Sequence, residues 1–559
     1  MGTAGAGKAR PAALAGRIAG AATLIAVLTV ASRLAGFGRT VVFQTLVAGP
    51  GGPGHAGGTD LGAMYVVSNT VPNIVFEIVA GGALASLVVP LLAGAVEAGD
   101  RRTVARTTGA LLSWTLTLLV PLAVLVALFA HPITALLAAG RPAAQVAAGA
   151  SMLRIFAPQL PLYGIGIVLT GVLQAHRRFA WPVLAPLLSS VTVMAAYGAF
   201  AVAVGPRAGI VAAGRTGLLI LAGGTTAGVL VLSLCLLIPL RSLRLRPRAG
   251  YRFTGAARAT VLPLAVAGGL TVAGQQLALA VTINRLAAGP TDAPVVFNLA
   301  QTMYLLPWAV LAVPLAVAAY PTLAAAHAGR DERTYRETLA PTTRRVLLFS
   351  CLGAAALAAT AAPVARFFGY SGAPAALAIA GFAPGLLGYG LFAVLSRALY
   401  ARGGARSATV ATTVGWLVVL AATVGFSALF PADYRVFAVA AANSLGMLVM
   451  GALLAVAVVR TAGGAALRGL ARTAVVGVAA AAVATAGGAA TAYVLAGTLA
   501  GTPAKPAAVV QGMLAGVVTG VMFFAVAYPL DPHDVRRLVR ALRRRLPGGR
   551  PPGERRATG

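Results

Sequence analysis

In a chain of 559 residues with 12 acidic side chains against 44 lysines and arginines, any ionisable group inside an apolar stretch is the first candidate for chemistry. An ion in hydrocarbon is costly and is kept for a partner, a wet path or a substrate. Arg33 and Arg39 lie in ASRLAGFGRT, and Glu77 lies in VPNIVFEIVAGGALASLVVP, between Pro72 and Pro90 and before Gly81-Gly82. On a helix turning about 100° per residue the two arginines point about 120° apart, so both can flank one broad cavity without sharing a stripe. A guanidinium pairs bidentately with phosphate oxygens, which makes Arg39 a candidate for an anionic group. Arg33 could equally snorkel or hold a backbone carbonyl. Glu77 reads as an ion-coupling group or partner of Arg39, or else as a structural salt bridge or polar helix contact. The prolines and glycines around it favour a bent helix whose backbone faces a cavity rather than lipid. Asn73 and the pair Asn284-Arg285 are further polar candidates, while amides such as Gln174, Gln275, Gln276 and Gln301 more commonly bind an adjacent helix.

Other chemistries find no support. There is no nucleophile elbow, HExxH, P-loop or paired intramembrane carboxylate, so no catalytic residue and no ATP-driven step is expected. Cys235 and Cys351 are far apart, and His55, His131, His176, His327 and His533 form no ligand cluster, so neither a metal nor a cofactor is expected.

The elements that must position these residues follow from composition. Hydrophobic residues make up 59% and charged residues 10% of the chain, and the mean hydropathy is +0.87. A soluble domain carries roughly 25% charged residues, so this chain could not cover its own surface in water. Apolar runs of spanning length recur from Ile18 to Leu530, which predicts an all-α polytopic membrane protein of about 14 transmembrane helices. The predicted spans are 18–46, 63–96, 104–129, 145–173, 182–205, 209–240, 261–288, 294–326, 343–362, 373–394, 407–429, 435–459, 471–500 and 507–529. Lys8, Arg10 and Arg17 before the first run resemble a secretory signal, but the run continues through Arg33 and Arg39 without a cleavage site and reads as an uncleaved first helix.

Charge placement supports that order. The net charge of +32 falls in short clusters between spans rather than in one patch with aromatic platforms, which argues against nucleic acid. Clusters such as Arg101-Arg102-Arg106, Arg241 to Arg258, Arg330 to Arg345 and the arginines after Asp531 fall in alternate loops. Arg141, Arg207, Arg215, Arg285, Arg366, Arg435 and Lys505 fall on the other side. By the positive-inside rule both termini are cytoplasmic. The tail after Asp531 reads as a topology anchor, or as a short basic helix on the anionic inner leaflet.

An internal repeat sets the organisation. Pro90-LLAGAVEAG-Asp100 recurs as Pro321-TLAAAHAGR-Asp331, and Phe156-Ala157-Pro158-x-Leu160-x-x-Tyr163-Gly164 recurs as Phe382-Ala383-Pro384-x-Leu386-x-x-Tyr389-Gly390. The copies are an even number of spans apart, so they cross in the same direction, as in transporters built from parallel repeats with the substrate path between lobes. The expected domains are a cytoplasmic segment 1–17, a first six-helix lobe 18–240, a basic linker 241–260, a second six-helix lobe 261–459, a helix pair 460–530 and a basic tail 531–559.

ASRLAGFGRT, NTVPNIVFEIVAGGALASLVVPLL, LQAHRRFAWPVLAP and FAPGLLGYGLFAVLSRALYARGGAR resemble the MurJ/MviN family, over nearly the whole chain. That resemblance implies a fold of the multidrug/oligosaccharidyl-lipid/polysaccharide exporter superfamily in the inner (cytoplasmic) membrane. It implies a flippase moving lipid II, the undecaprenyl-diphosphate-linked peptidoglycan precursor, between leaflets by alternating access. Membrane lipids and cell-wall synthesis proteins are the further expected partners. Arg33 and Arg39 match the two family arginines of the first helix. The acid that usually follows the second is Thr40 here, and the cavity arginines expected in spans 2 and 8 align with Phe76 and fall near Thr302. Some relatives carry a cytoplasmic pseudokinase-like extension, which is not expected in this chain. The alternatives are a flippase for another polyprenyl-diphosphate glycan, a drug/cation antiporter on the same scaffold, which should bury several acids, and a membrane glycosyltransferase, which should show acids at a membrane-edge loop.

Overall fold

The computed structural model describes residues 28–50, 58–78, 85–243, 245, 249–251, 272–370, 372–499 and 501–530. The predicted segments 1–17 and 531–559 and most of the linker 241–260 lie outside the described residues. Among those residues there is no strand, and eleven helices are long and apolar enough to cross a membrane. Each coincides with a predicted span. The remaining predicted spans, 18–46, 63–96 and 261–288, run into residues that are not described. Large side chains on the outer faces point away from the protein, Val211 at 96% and Tyr493 at 83% exposure among them. Water would not tolerate so continuous an apolar surface, whereas lipid requires it.

Two compact units emerge from the contacts. The first comprises residues 1–302 and 423–436, the second 303–422 and 437–559. The first contains α1 (28–43), α2 (Gly58–Phe76), α3 (Ala85–Glu97), α4 (Arg101–Leu128), α5 (Ala130–Leu137), α6 (Ala143–Phe156), α7 (Gln159–Ala175), α8 (Ala180–Ala203), α9 (Ile210–Leu234), α10 (Leu237–Ser242), α11 (272–287) and most of α12 (Ala293–Pro307). An apolar cluster joins Val88 and Leu92 of α3 to Val104 and Leu111 of α4 and to Val168, Leu169 and Val172 of α7. The second contains α13 (Val313–Ala328), α14 (Glu332–Ala359), α15 (Ala361–Phe367), α16 (Ala373–Gly381), α17 (Gly385–Ala401), most of α18 (Ala405–Leu429) and α19 (Arg435–Ala462), then α20 (Leu470–Thr498) and α21 (Ala504–Leu530). There Leu347, Leu348 and Cys351 of α14 pack on Val476, Ala480 and Ala484 of α20 and Phe523 of α21.

The repeated motifs have the same local form in both units. Asp100 caps α4 by accepting hydrogen bonds from the backbone N–H groups of Arg102 and Thr103, each at 3.0 Å, after Gly99 takes a φ of +68°. Asp331 caps α14 by accepting from Thr334 N–H at 2.9 Å, after Arg330 takes a φ of +55°. The positive φ ends one helix and the aspartate satisfies the orphan donors of the next. Hydrogen bonds from the Thr103 and Thr334 hydroxyls, and then these N–H bonds, hold the two carboxyls below the usual carboxylate range. In FAPxLxxYG the proline has no N–H to continue the ladder. The run predicted as one span over 145–173 is therefore α6 and α7 with Pro158 at the N-cap of the latter, and Pro384 plays the same part before α17. The glycine after each tyrosine marks a close helix approach. A Cβ on Gly164 would overlap Thr115 and Leu119 of α4, and one on Gly390 would overlap Ser350 of α14.

Candidate functional site

Arg39 ends the second of two arginine-bearing turns of α1, and its guanidinium opens onto a cavity of about 240 Å³ within the first unit. Among the described residues that line the cavity it alone is charged. Asn69 and Asn73 reach the cavity from one face of α2, Tyr163 from α7, Tyr197 from α8, Thr225 from α9, and Asn298 and Thr302 from α12. These side chains are polar and neutral. Among the described residues no ion pair and no hydrogen bond engages Arg39. Arg39 is itself exposed, so its guanidinium stands open among neutral dipoles to an anion that can accept its N–H groups.

The neutral walls are held by their own bonds. The Tyr65 hydroxyl lies 2.9 Å from that of Tyr197 and 2.7 Å from Thr225 Oγ, and Thr225 donates to the Leu221 carbonyl at 2.8 Å. Tyr163 donates to Asn73 Oδ1 at 3.2 Å, and the buried Oδ1 of Asn69 has no hydrogen-bond partner among the described residues. Thr302 donates to the Asn298 carbonyl at 2.8 Å, one turn back along α12.

A family model of the lipid II flippase MurJ matches residues 56–501. The chain belongs to the lipid II flippase MurJ family. In fold it is similar to a solved lipid II flippase MurJ in an inward closed conformation, at 18% identity and a TM-score of 0.68, covering 92% of this chain and all of that one. It is also similar to an inward-facing multidrug resistance MATE family transporter of the MOP superfamily, at 15% identity and a TM-score of 0.61, covering 79% of this chain and 95% of that one. A MOP superfamily transporter from Pyrococcus furiosus, described by the reversed polarity of its binding pocket, matches at 16% identity and a TM-score of 0.56, over 79% of this chain and 96% of that one. MurJ and MATE proteins thus share the fold.

Of the residues singled out by sequence, Arg39 and Asn73 meet at the cavity. Arg33 is exposed on α1 and does not line it. Glu77 is exposed in a π-helical turn just after α2 and does not line it either, and among the described residues no ion pair joins it to Arg39. Asn284 donates to the Leu136 carbonyl at 2.7 Å, tying α11 to α5, and the neighbouring Arg285 is exposed. The family departures have local explanations. Phe76 packs in a tilted contact against Tyr163 with ring centroids 4.3 Å apart, so an aromatic contact stands where the resemblance implied a cation. Trp308 makes the matching contact with Tyr389 at 4.4 Å in the second unit, again beside a π-helical segment, Trp308–Ala312. Thr302 does line the cavity, as a neutral side chain. Thr40 is buried and turned to the Gly36 carbonyl of its own helix.

Sequence reasoning passed over Tyr65, Tyr197, Thr225 and Asn69. Their only signal is a polar atom inside an apolar run, which many helix-binding side chains share. Arg141, read from sequence only as an outer-side charge, also ties loops together: its Nη2 donates to the Gly289 and Pro290 carbonyls and Nη1 to Thr291 Oγ1 at 2.8–3.1 Å. Burial there lowers the arginine and raises Asp292 from their ordinary values, and each partly offsets the shift in the other by charge.

Proposed function

We propose that this chain carries lipid II from the inner to the outer leaflet and that Arg39 holds the diphosphate of its head group in the cavity of the first unit. Family membership supports the substrate. The observation that carries the site is the Arg39 guanidinium, without a partner among the described residues, on a cavity whose other described lining side chains are neutral. A diphosphate and sugar cannot cross hydrocarbon unaided, because the isolated charge would forfeit its hydration. An arginine in a polar cavity replaces that hydration while the polyprenyl chain stays in lipid. Transport of this kind makes and breaks no covalent bond, so the chain acts as a transporter and not as an enzyme. A cation-exporting role on the same fold is disfavoured by the same arginine, which would repel the cargo.

The organisation follows the repeat: lobes 18–240 and 261–459 alternate access, the pair 460–530 follows, and the basic segments 1–17, 241–260 and 531–559 face the cytoplasm with both termini. The deciding experiment is depletion of a bacterium's own lipid II flippase with this chain expressed in its place, followed by assay of lipid II on the outer leaflet. Growth with outer-leaflet lipid II is the expected result. No rescue despite verified membrane insertion would point to another polyprenyl-diphosphate glycan and overturn the substrate assignment.

A further inference from the structure

The Tyr65, Tyr197 and Thr225 hydroxyls form a chain whose proton direction can be worked out. Thr225 has one proton, and its 2.8 Å contact with the Leu221 carbonyl consumes it, since a carbonyl can only accept. The 2.7 Å contact between Thr225 and Tyr65 must then be donated by Tyr65, and the 2.9 Å contact between Tyr65 and Tyr197 by Tyr197. Every proton in the chain points from Tyr197 towards α9. What remains at the Tyr197 end is an oxygen with free lone pairs and no proton to give. Asn69 presents a second acceptor, its buried Oδ1 without a partner among the described residues. All four side chains line the cavity that Arg39 faces.

Arg39 offers only donors, and this wall offers acceptors. A ligand that satisfies both carries an anionic oxygen beside hydrogen-bond donors. A metal cation could use the acceptors, but the unpaired arginine on the same small cavity opposes it. Neutral donors fit: the hydroxyl and amide N–H groups of a sugar attached directly to a phosphate.

We propose that Tyr197, held as an acceptor by Tyr65 and Thr225 and assisted by Asn69, is a specificity determinant that takes the hydroxyl or amide donors of the sugar next to the diphosphate. This rests on the reading of the cavity as the head-group site. A site built to pair a polar group rejects the analogue lacking it, because its own buried atoms are left unpaired.

The test measures binding of two lipids to the full-length chain in nanodiscs: undecaprenyl diphosphate, and the same lipid bearing one N-acetylated amino sugar. The wild type should prefer the sugar-bearing lipid. Tyr197→Phe should lose about five- to tenfold of that preference, the effect of one neutral hydrogen bond, with little change for the bare diphosphate. Thr225→Val keeps both tyrosine hydroxyls and frees the Tyr65 proton, which lets the chain reverse and Tyr197 donate. It should lose the sugar preference and hold the bare diphosphate as tightly as the wild type or more tightly. Arg39→Ala should weaken both lipids. If both tyrosine-chain variants keep the wild-type preference while Arg39→Ala still weakens binding, the specificity role is overturned and the head-group reading stands. If the wild type binds neither lipid, the head-group reading itself fails. Should Tyr197→Phe not fold, Thr225→Val alone decides, since retained sugar preference there contradicts the directed chain.

Discussion

Arg39 faces neutral side chains, so its substitution removes the formal charge of the cavity's described lining. Arg39→Ala should leave insertion and expression intact and abolish complementation, with diphosphate-lipid binding weakened about 10- to 100-fold, the loss of a charge-assisted pair. Arg39→Lys should recover part of this, because the charge returns without the planar fork. Full activity of Arg39→Ala would remove it from the mechanism. Glu77 calls for a different comparison. It sits outside the cavity, so a charge role predicts that Glu77→Gln and Glu77→Ala are equally impaired in complementation, whereas loss in the alanine variant alone would make it a hydrogen-bonding group. At this scale the sequence revealed charges and hid hydroxyls. Arg39 and Asn73 could be found because an ion or amide in an apolar run is conspicuous. Tyr197 and Thr225 could not, because their role comes from hydrogen bonds between helices α2, α8 and α9, and no spacing along the chain encodes that meeting.

Among the elements, the repeated motifs bear the most structural weight, and their chemistry explains why the sequence repeat could be read at all. A proline break, a glycine under a neighbouring helix and an aspartate cap each work through the residue's own backbone or its nearest turn, so identity survives where general packing drifts. Gly388, inside the second FAPxLxxYG copy, is the sharpest case. A Cβ there would overlap the Met447 carbonyl of α19, and backbone cannot rotate away as a side chain can. Gly388→Ala should cost about 1–3 kcal/mol, read as a lowered thermal midpoint of the purified chain. An unchanged midpoint would mean that α17 and α19 are not in such close contact. The caps give a pH dependence with a definite sign. Asp100 and Asp331 have lowered values, so their contribution is complete above the ordinary carboxylate range and disappears as pH falls through the lowered value. Asp331→Ala should therefore destabilise the chain at neutral pH by an amount that shrinks in strong acid; a difference constant down to pH 2 would contradict the cap.

For the whole molecule, the sequence carried most of the fold because lipid leaves few options: a run of about 20 apolar residues must be a helix, and loop arginines must alternate sides. What composition could not reveal is how far those arginines also build structure. Arg402, just after α17, pairs with Glu332 at 2.8 Å, lies over the Tyr335 ring at 4.7 Å and donates to the Thr461 carbonyl at 3.0 Å. Such a residue ties three connecting segments of its unit together. The orientation is testable by parity. Gly329, between α13 and α14, and Ala432, between α18 and α19, are both exposed, and three candidate membrane-crossing segments separate them: Glu332–Ala359, Ala373–Ala401 and Ala405–Leu429. An odd number of crossings places them on opposite sides, and the surrounding charges assign Gly329, beside Arg330 and Arg333, to the cytoplasm. Native Cys235 and Cys351 are buried, so an introduced cysteine reports with little background. Ala432→Cys should react with a membrane-impermeant maleimide on intact cells, and Gly329→Cys only after permeabilisation. Labelling of both from the same side would mean that one of those three segments does not cross, and the reverse pattern would invert the proposed direction of transport through Arg39.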